Sequence, residues 1–138
     1  MKTVFVDTNI LISGIFFDGP EAELLDTRGI RLVTAEVCEY ELEEVSVRKS
    51  DAFGVSEEGA REMLEGALVD IEVVPEEEYE GRYADAAEGV GEGNDAEVLA
   101  CALTVEPDYF VTGDEDFHTE KVEALVNVAE TTEVLGSV

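Results

Sequence analysis

The 138-residue chain carries 35 Asp and Glu against 8 Lys and Arg, a formal net charge of −27, yet 45% of its residues are hydrophobic and recur periodically, which excludes the low-hydrophobicity disorder that such acidity usually accompanies. The length predicts one domain over residues 1–138, burying roughly two-thirds of its unfolded surface. Cys38 and Cys101 stand alone and far apart, excluding a disulfide framework, and the absence of a signal-peptide pattern or a long apolar run leads to the expectation of a cytoplasmic protein with reduced thiols.

Residues 2–13, KTVFVDTNILIS, organise the chain. Val4, Phe5 and Val6 predict a strand covered on both faces, and Ile10, Leu11 and Ile12 resume the apolar run as a buried helical segment to about residue 17. Between them Asp7-Thr8-Asn9 puts a carboxylate at a strand's carboxyl end, where ligands bind in open α/β sheets. Asp7 or Thr8 capping the next helix is the plainer alternative. Pro20 suits the first turn of a short helix with Ala22, Leu24 and Leu25 before Gly29, and Leu32-Val33 predict a second buried strand. Thr34 is expected to cap a helix from Ala35 to about Lys49, in which Cys38, Leu42 and Val45 define the buried face. Glu41 points with that face, whereas Glu36, Glu39, Glu43 and Glu44 read as solvated.

Ser56 is expected to cap an amphipathic helix with Ala60, Met63, Leu64, Ala67 and Leu68 as its core stripe, followed by a third strand over residues 71–74. Tyr79, Tyr83 and Ala86 keep a weaker helical spacing up to Gly89. The alternating Gly89, Gly91 and Gly93 lack the Lys and Ser/Thr of a phosphate-binding loop. Asn94-Asp95 opens a helix whose apolar face is Val98, Leu99, Ala102 and Leu103, with Asp95 in phase with Leu99 and Ala102. Tyr109, Phe110 and Val111 predict a fourth strand, and its exit, Thr112-Gly113-Asp114-Glu115-Asp116-Phe117, again carries acids. A short helix over residues 119–125, a strand over 126–128 and a turn over 132–135 follow. Strands alternating with helices predict a parallel, doubly covered α/β sheet.

Asp7, Glu41, Asp95, Asp114 and Asp116 stand out from the other acids by position, although capping, turn and helix-edge roles account for each singly. If they converge within ~5 Å, each pair repels by roughly 3 kcal/mol at an effective dielectric of 20, so the cluster needs a cation. Oxygen donors suit Mg²⁺ or Mn²⁺ better than zinc.

In these segments the chain resembles the PIN-domain ribonucleases: VFVDTNILIS, TAEVCEYELEEV, NDAEVLACAL and YFVTGDEDF match the family's motifs in order and spacing over nearly the whole length. The resemblance implies a three-layer, doubly wound five-stranded sheet of order 3-2-1-4-5 and divalent-metal-dependent endoribonuclease activity. It also implies a frequent role as the toxin of a VapC-type pair with a protein antitoxin. Carried over by residue, Asp7, Glu41, Asp95 and Asp114 take the catalytic, metal-binding positions. Asp116 becomes an outer or water-mediated metal contact, and Asn9 and Thr112 match polar positions that steady the site. The mechanism implied is metal-assisted hydrolysis of RNA. It requires no imidazole base, and the lone histidine, His118, is expected at the surface.

The chain departs from the basic surface usual in nucleic-acid binders. Arg48 and Lys49 form its one adjacent cationic pair, either a phosphate contact or helix C-terminal charges favoured by the macrodipole. The acidity leads to the expectation of a highly saline cytoplasm, where screening reaches ~3 Å at 1 M salt. A homodimer is expected, two-fold pairs being the commonest oligomers. A haloacid-dehalogenase-type phosphotransferase needs a second acid where Asn9 stands, and a receiver domain needs an Asp and a Lys where Pro75 and Ala129 stand. A catalytically silent PIN scaffold that binds partners is the alternative to an active nuclease.

Overall fold

The computed structural model describes residues 1–138. Its strands are β1 (Lys2–Val6), β2 (Ile30–Ala35), β3 (Ile71–Val74), β4 (Tyr109–Val111) and β5 (Val128–Ala129). The helices are α1 (Thr8–Phe16), α2 (Pro20–Leu25), α3 (Glu36–Arg48), α4 (Glu57–Leu68), α5 (Glu76–Tyr79), α6 (Tyr83–Val90), α7 (Asn94–Val105), α8 (Glu120–Glu123) and α9 (Thr131–Leu135). The strands form one parallel sheet in the expected order β3-β2-β1-β4-β5. The chain winds outward from β1 to β3, then crosses back to lay β4 on the other side of β1. The strand order therefore reverses between β1 and β4, and the crevice beyond their carboxyl ends is the place where such sheets bind ligands.

Alternation along the strands divides the core. Phe5, Val33 and Phe110 face one layer, where they pack with Tyr79, Ala86, Leu99, Ala102 and Val122 from α5 to α8. Val4, Val6, Leu32 and Val111 face the other, with Leu11, Leu24, Leu64 and Val134 from α1, α2, α4 and α9. Helix α3 gives Cys38 to the first cluster and Leu42 to the second, with Glu41 between them in sequence. Phe110 meets Phe5 edge-on at 5.3 Å between ring centroids and Phe117 at 5.0 Å. Such aromatic pairs contribute ~0.5–1.5 kcal/mol beyond area burial, and the second one anchors the acidic loop after β4. Helices α1 and α2 approach so closely that a Cβ on Gly14 would collide with the Leu25 side chain and the Glu21 carbonyl.

Several boundaries differ from the expected ones for identifiable reasons. Strand β2 runs on to Ala35, so Thr34 is fully buried in the sheet and its hydroxyl donates to the Val6 carbonyl at 2.7 Å instead of capping α3. Ala35 takes the cap position without a side-chain bond, and the Val37 N–H donates to the Tyr79 hydroxyl oxygen at 3.2 Å. The helical run expected through residues 79–89 is broken into α5, a 3-10 turn at Glu80–Arg82 and α6. The last strand is Val128–Ala129 rather than 126–128; Val126 is buried before it. Met63, expected in the core stripe of α4, lies at its rim, 37% exposed. Ser56 caps α4 as expected, accepting the Gly59 N–H at 3.0 Å.

Candidate metal centre

Asp7 is fixed from two directions at the end of β1. Its Oδ1 accepts the Ile10 N–H at 3.2 Å, which caps α1, and its Oδ2 accepts the Thr112 hydroxyl from the exit of β4. The capping alternative therefore describes a real bond, and the same buried carboxylate also bridges the switch point. Thr112, also buried, donates its N–H to Ala129 at 3.2 Å, and its Oγ1 accepts the Asp114 N–H at 3.0 Å. Asp114 Oδ1 in turn accepts the Asp116 N–H at 2.9 Å, opening the 3-10 turn Glu115–Phe117. Asp95 lies in the first turn of α7, whose cap residue is Gly93 at φ +114°, a conformation that favours glycine. Asp95 makes no capping bond. One carboxylate oxygen from each of Asp95, Asp114 and Asp116 lies within 4.8 Å of the others.

The remaining two acids feel the charge of members of this trio. Burial pushes the Asp7 carboxyl above its ordinary range and the Asp114 charge adds to the shift, against the lowering effect of the Thr112 hydroxyl. Glu41, half-buried on α3, is raised by burial and then by the charges of Asp7, Asp95 and Glu97. Asp95 is raised by burial and then by Asp114 and Asp116. None of the chain's ion pairs, Arg31–Glu72, Arg48–Glu44 and Arg82–Asp85, relieves these acids. The donors that converge are carboxylate oxygens, which fit a hard divalent ion. Beside Asp7, burial pushes the Cys38 thiol up to about 11, so it stays a neutral thiol rather than a soft metal ligand.

The structure thus gathers Asp95, Asp114 and Asp116 closely; Asp116, expected as an outer contact, belongs to this trio, whereas Asp7 and Glu41 do not. Asn9 contributes to Asp7 through its backbone N–H, while its exposed side chain lines a shallow cleft with Ser13, Thr112 and Thr132. Arg48 is bound to Glu44 on its own helix at 2.8 Å, and seven residues separate it from Glu41, roughly 10 Å of helical rise. Lys49 is the C-cap that follows the same helix. His118 is not a free surface side chain: it is half-buried, with Nε2 2.8 Å from the Thr112 carbonyl oxygen. Glu97 escaped the sequence reading because it lies out of phase with Asp95. Burial and then the Glu76 charge raise its carboxyl. Its signal is compositional, an acid set between the buried Ala96 and Val98.

Comparison with known proteins agrees with this architecture. No curated protein matches the chain significantly. Among solved structures, one described as VapBC2 from Rickettsia felis bound to a DNA fragment from their promoter aligns with a TM-score of 0.70 at 16% identity, over 93% of this chain and 98% of that one. A toxin–antitoxin complex from Klebsiella pneumoniae aligns at 0.67 and 16% identity, over 93% and 97% of the two chains. VapBC-1 from nontypeable Haemophilus influenzae aligns at 0.60 and 21%, over 94% and 98%. These likenesses are of fold. The sequence profile of the PIN domain matches residues 5–135, a span that contains all the acids of the centre, and the chain belongs to the PIN-domain family.

Proposed function

We propose that the protein is a divalent-metal-dependent endoribonuclease of the VapC toxin type, and that it acts as one domain in a saline cytoplasm. The observation that carries this reading is the meeting of Asp95, Asp114 and Asp116 within 4.8 Å, at the switch point of a PIN-domain sheet. Asp7, Glu41, Asp95, Asp114 and Asp116 would hold Mg²⁺ or Mn²⁺. When bound, the ion supplies a nucleophile at neutral pH and neutralises charge on the leaving oxygen. The chain's own part is to fix the carboxylates before substrate arrives: Thr112 and the α1 cap lock Asp7, and the first turn of α7 presents Asp95. The likeness to VapBC complexes supports a protein antitoxin as partner. Two-fold pairing remains part of the proposal, and no helix is long and apolar enough to cross a membrane.

The test is cleavage of structured and unstructured RNA at high KCl, with Mn²⁺ or with chelator, by the wild type and Asp95→Asn. Cleavage that needs both the ion and Asp95 is the expected result. Metal binding without cleavage of any RNA would favour the partner-binding scaffold, and absence of both would remove the nuclease reading.

A further inference from the structure

The loop that carries Asp114 and Asp116 is closed by a bond that no acid makes. His118 Nε2 lies 2.8 Å from the Thr112 carbonyl oxygen, and since a carbonyl only accepts, Nε2 carries the proton and donates. The other bonds within the loop are short in range. Asp114 N–H reaches Thr112 Oγ1, Asp116 N–H reaches Asp114 Oδ1, Phe117 N–H reaches the Asp114 carbonyl and His118 N–H reaches the Glu115 carbonyl, each across two or three residues. Only the imidazole bond, across six residues, hydrogen-bonds the far end of the loop back to Thr112 at the exit of β4, while buried Phe117 packs on Phe110 beside it.

We propose that His118 is a positioning residue for the metal centre: by holding the Thr112 peptide it sets where Asp114 and Asp116 stand relative to Asp95. Thr112 is the pivot. Its hydroxyl donates to Asp7 and accepts from the Asp114 N–H, so a rotation there would disturb both halves of the centre at once. The role needs a donor at Nε2 rather than a charge, and both the present tautomer and the imidazolium supply one. It rests on the reading that the acids hold a divalent ion.

The experiment is calorimetric titration of the full chain with Mn²⁺ at high KCl, for the wild type, His118→Leu, His118→Gln and Asp95→Asn. Partners one shell removed from a metal typically change its affinity 10–100-fold, and His118→Leu is expected at the lower end, about tenfold weaker than the wild type. The Gln amide N–H reaches about as far from the backbone as imidazole Nε2, so His118→Gln should recover most of the loss. Metal-free hydrogen exchange gives a second readout: in His118→Leu the Asp114 and Asp116 amides should exchange faster, with Phe110 and Val111 unchanged. Wild-type affinity in His118→Leu, with binding lost in Asp95→Asn, would overturn the role of His118 and leave the metal reading standing. Equal weakening in Leu and Gln variants would reduce His118 to packing and also overturn it. A wild type that binds no Mn²⁺ would remove the metal reading itself and this inference with it.

Discussion

Thr112 shows how much one side chain can carry. Its hydroxyl is donor to Asp7 and acceptor for the Asp114 N–H, so Thr112→Val would strand a buried carboxylate and a backbone N–H together while keeping the residue's shape. Each unmade buried hydrogen bond costs ~1–3 kcal/mol. Chemical denaturation of the metal-free protein should therefore show a loss of about 2 kcal/mol or more, with weaker Mn²⁺ binding. Asp7 and Asp95 give a pH prediction of definite sign. Burial raises their folded pKa values above the ordinary 3.8, so their stabilising contribution is complete below about that pH and is lost as pH rises through the raised values. At fixed high KCl the metal-free melting temperature should fall from about pH 4 toward pH 7, and Asp7→Asn should flatten part of that fall. Saturating Mn²⁺ should oppose it, because the ion binds the ionised carboxylates. A metal-free protein most stable at pH 7, with Asp7→Asn indistinguishable from wild type, would contradict the assignment.

At the level of the elements, α7 carries an avoidable cost. It ends at Glu106, the one non-glycine residue with positive φ, +53°, and that acid also sits at the negative end of the helix macrodipole. Glu106→Gly should raise stability by about 0.5–1 kcal/mol without changing metal affinity, since left-handed residues at this position favour glycine and the site lies at the helix's other end. A loss of stability in thermal melts would show that Glu106 makes a compensating contact. The elements were legible where a periodic stripe coincided with a cap or breaker: Ser56 opened α4 and Pro20 opened α2 as the local chemistry dictated. They were misplaced where a tertiary partner outbid local preference, as when the end of β1 took the Thr34 hydroxyl. Asp95, Asp114 and Asp116 were legible by type and place, because an acid at a strand exit or on a buried helical phase is unusual, although Asp116 was expected only as an outer contact. The links between them were not, since the Thr112–Asp7 and His118–Thr112 bonds depend on β4 lying beside β1, which no local pattern reports.

The whole molecule is governed by its unbalanced charge. With −27 net and only three ion pairs, all between largely exposed side chains, folding compresses like charges that little in the chain offsets. Raising KCl from about 0.2 M toward 2 M shortens the screening length to ~3 Å or below, so the melting temperature should climb through the series. Full stability in dilute buffer with no gain from KCl would argue against adaptation to salt. Topology adds a second property at this scale. The proposed centre draws on acids at positions 7, 41, 95, 114 and 116, and the strand that steadies the first of them, β4, pairs with β1 but follows β2 and β3 in the chain. Arrested nascent chains that stop short of Tyr109 should therefore bind Mn²⁺ no better than unfolded chain, because they lack Thr112, Asp114 and Asp116. Synthesis thus imposes its own delay: a ribosome making this protein has delivered 116 of its 138 residues before Asp95, Asp114 and Asp116 can meet at all.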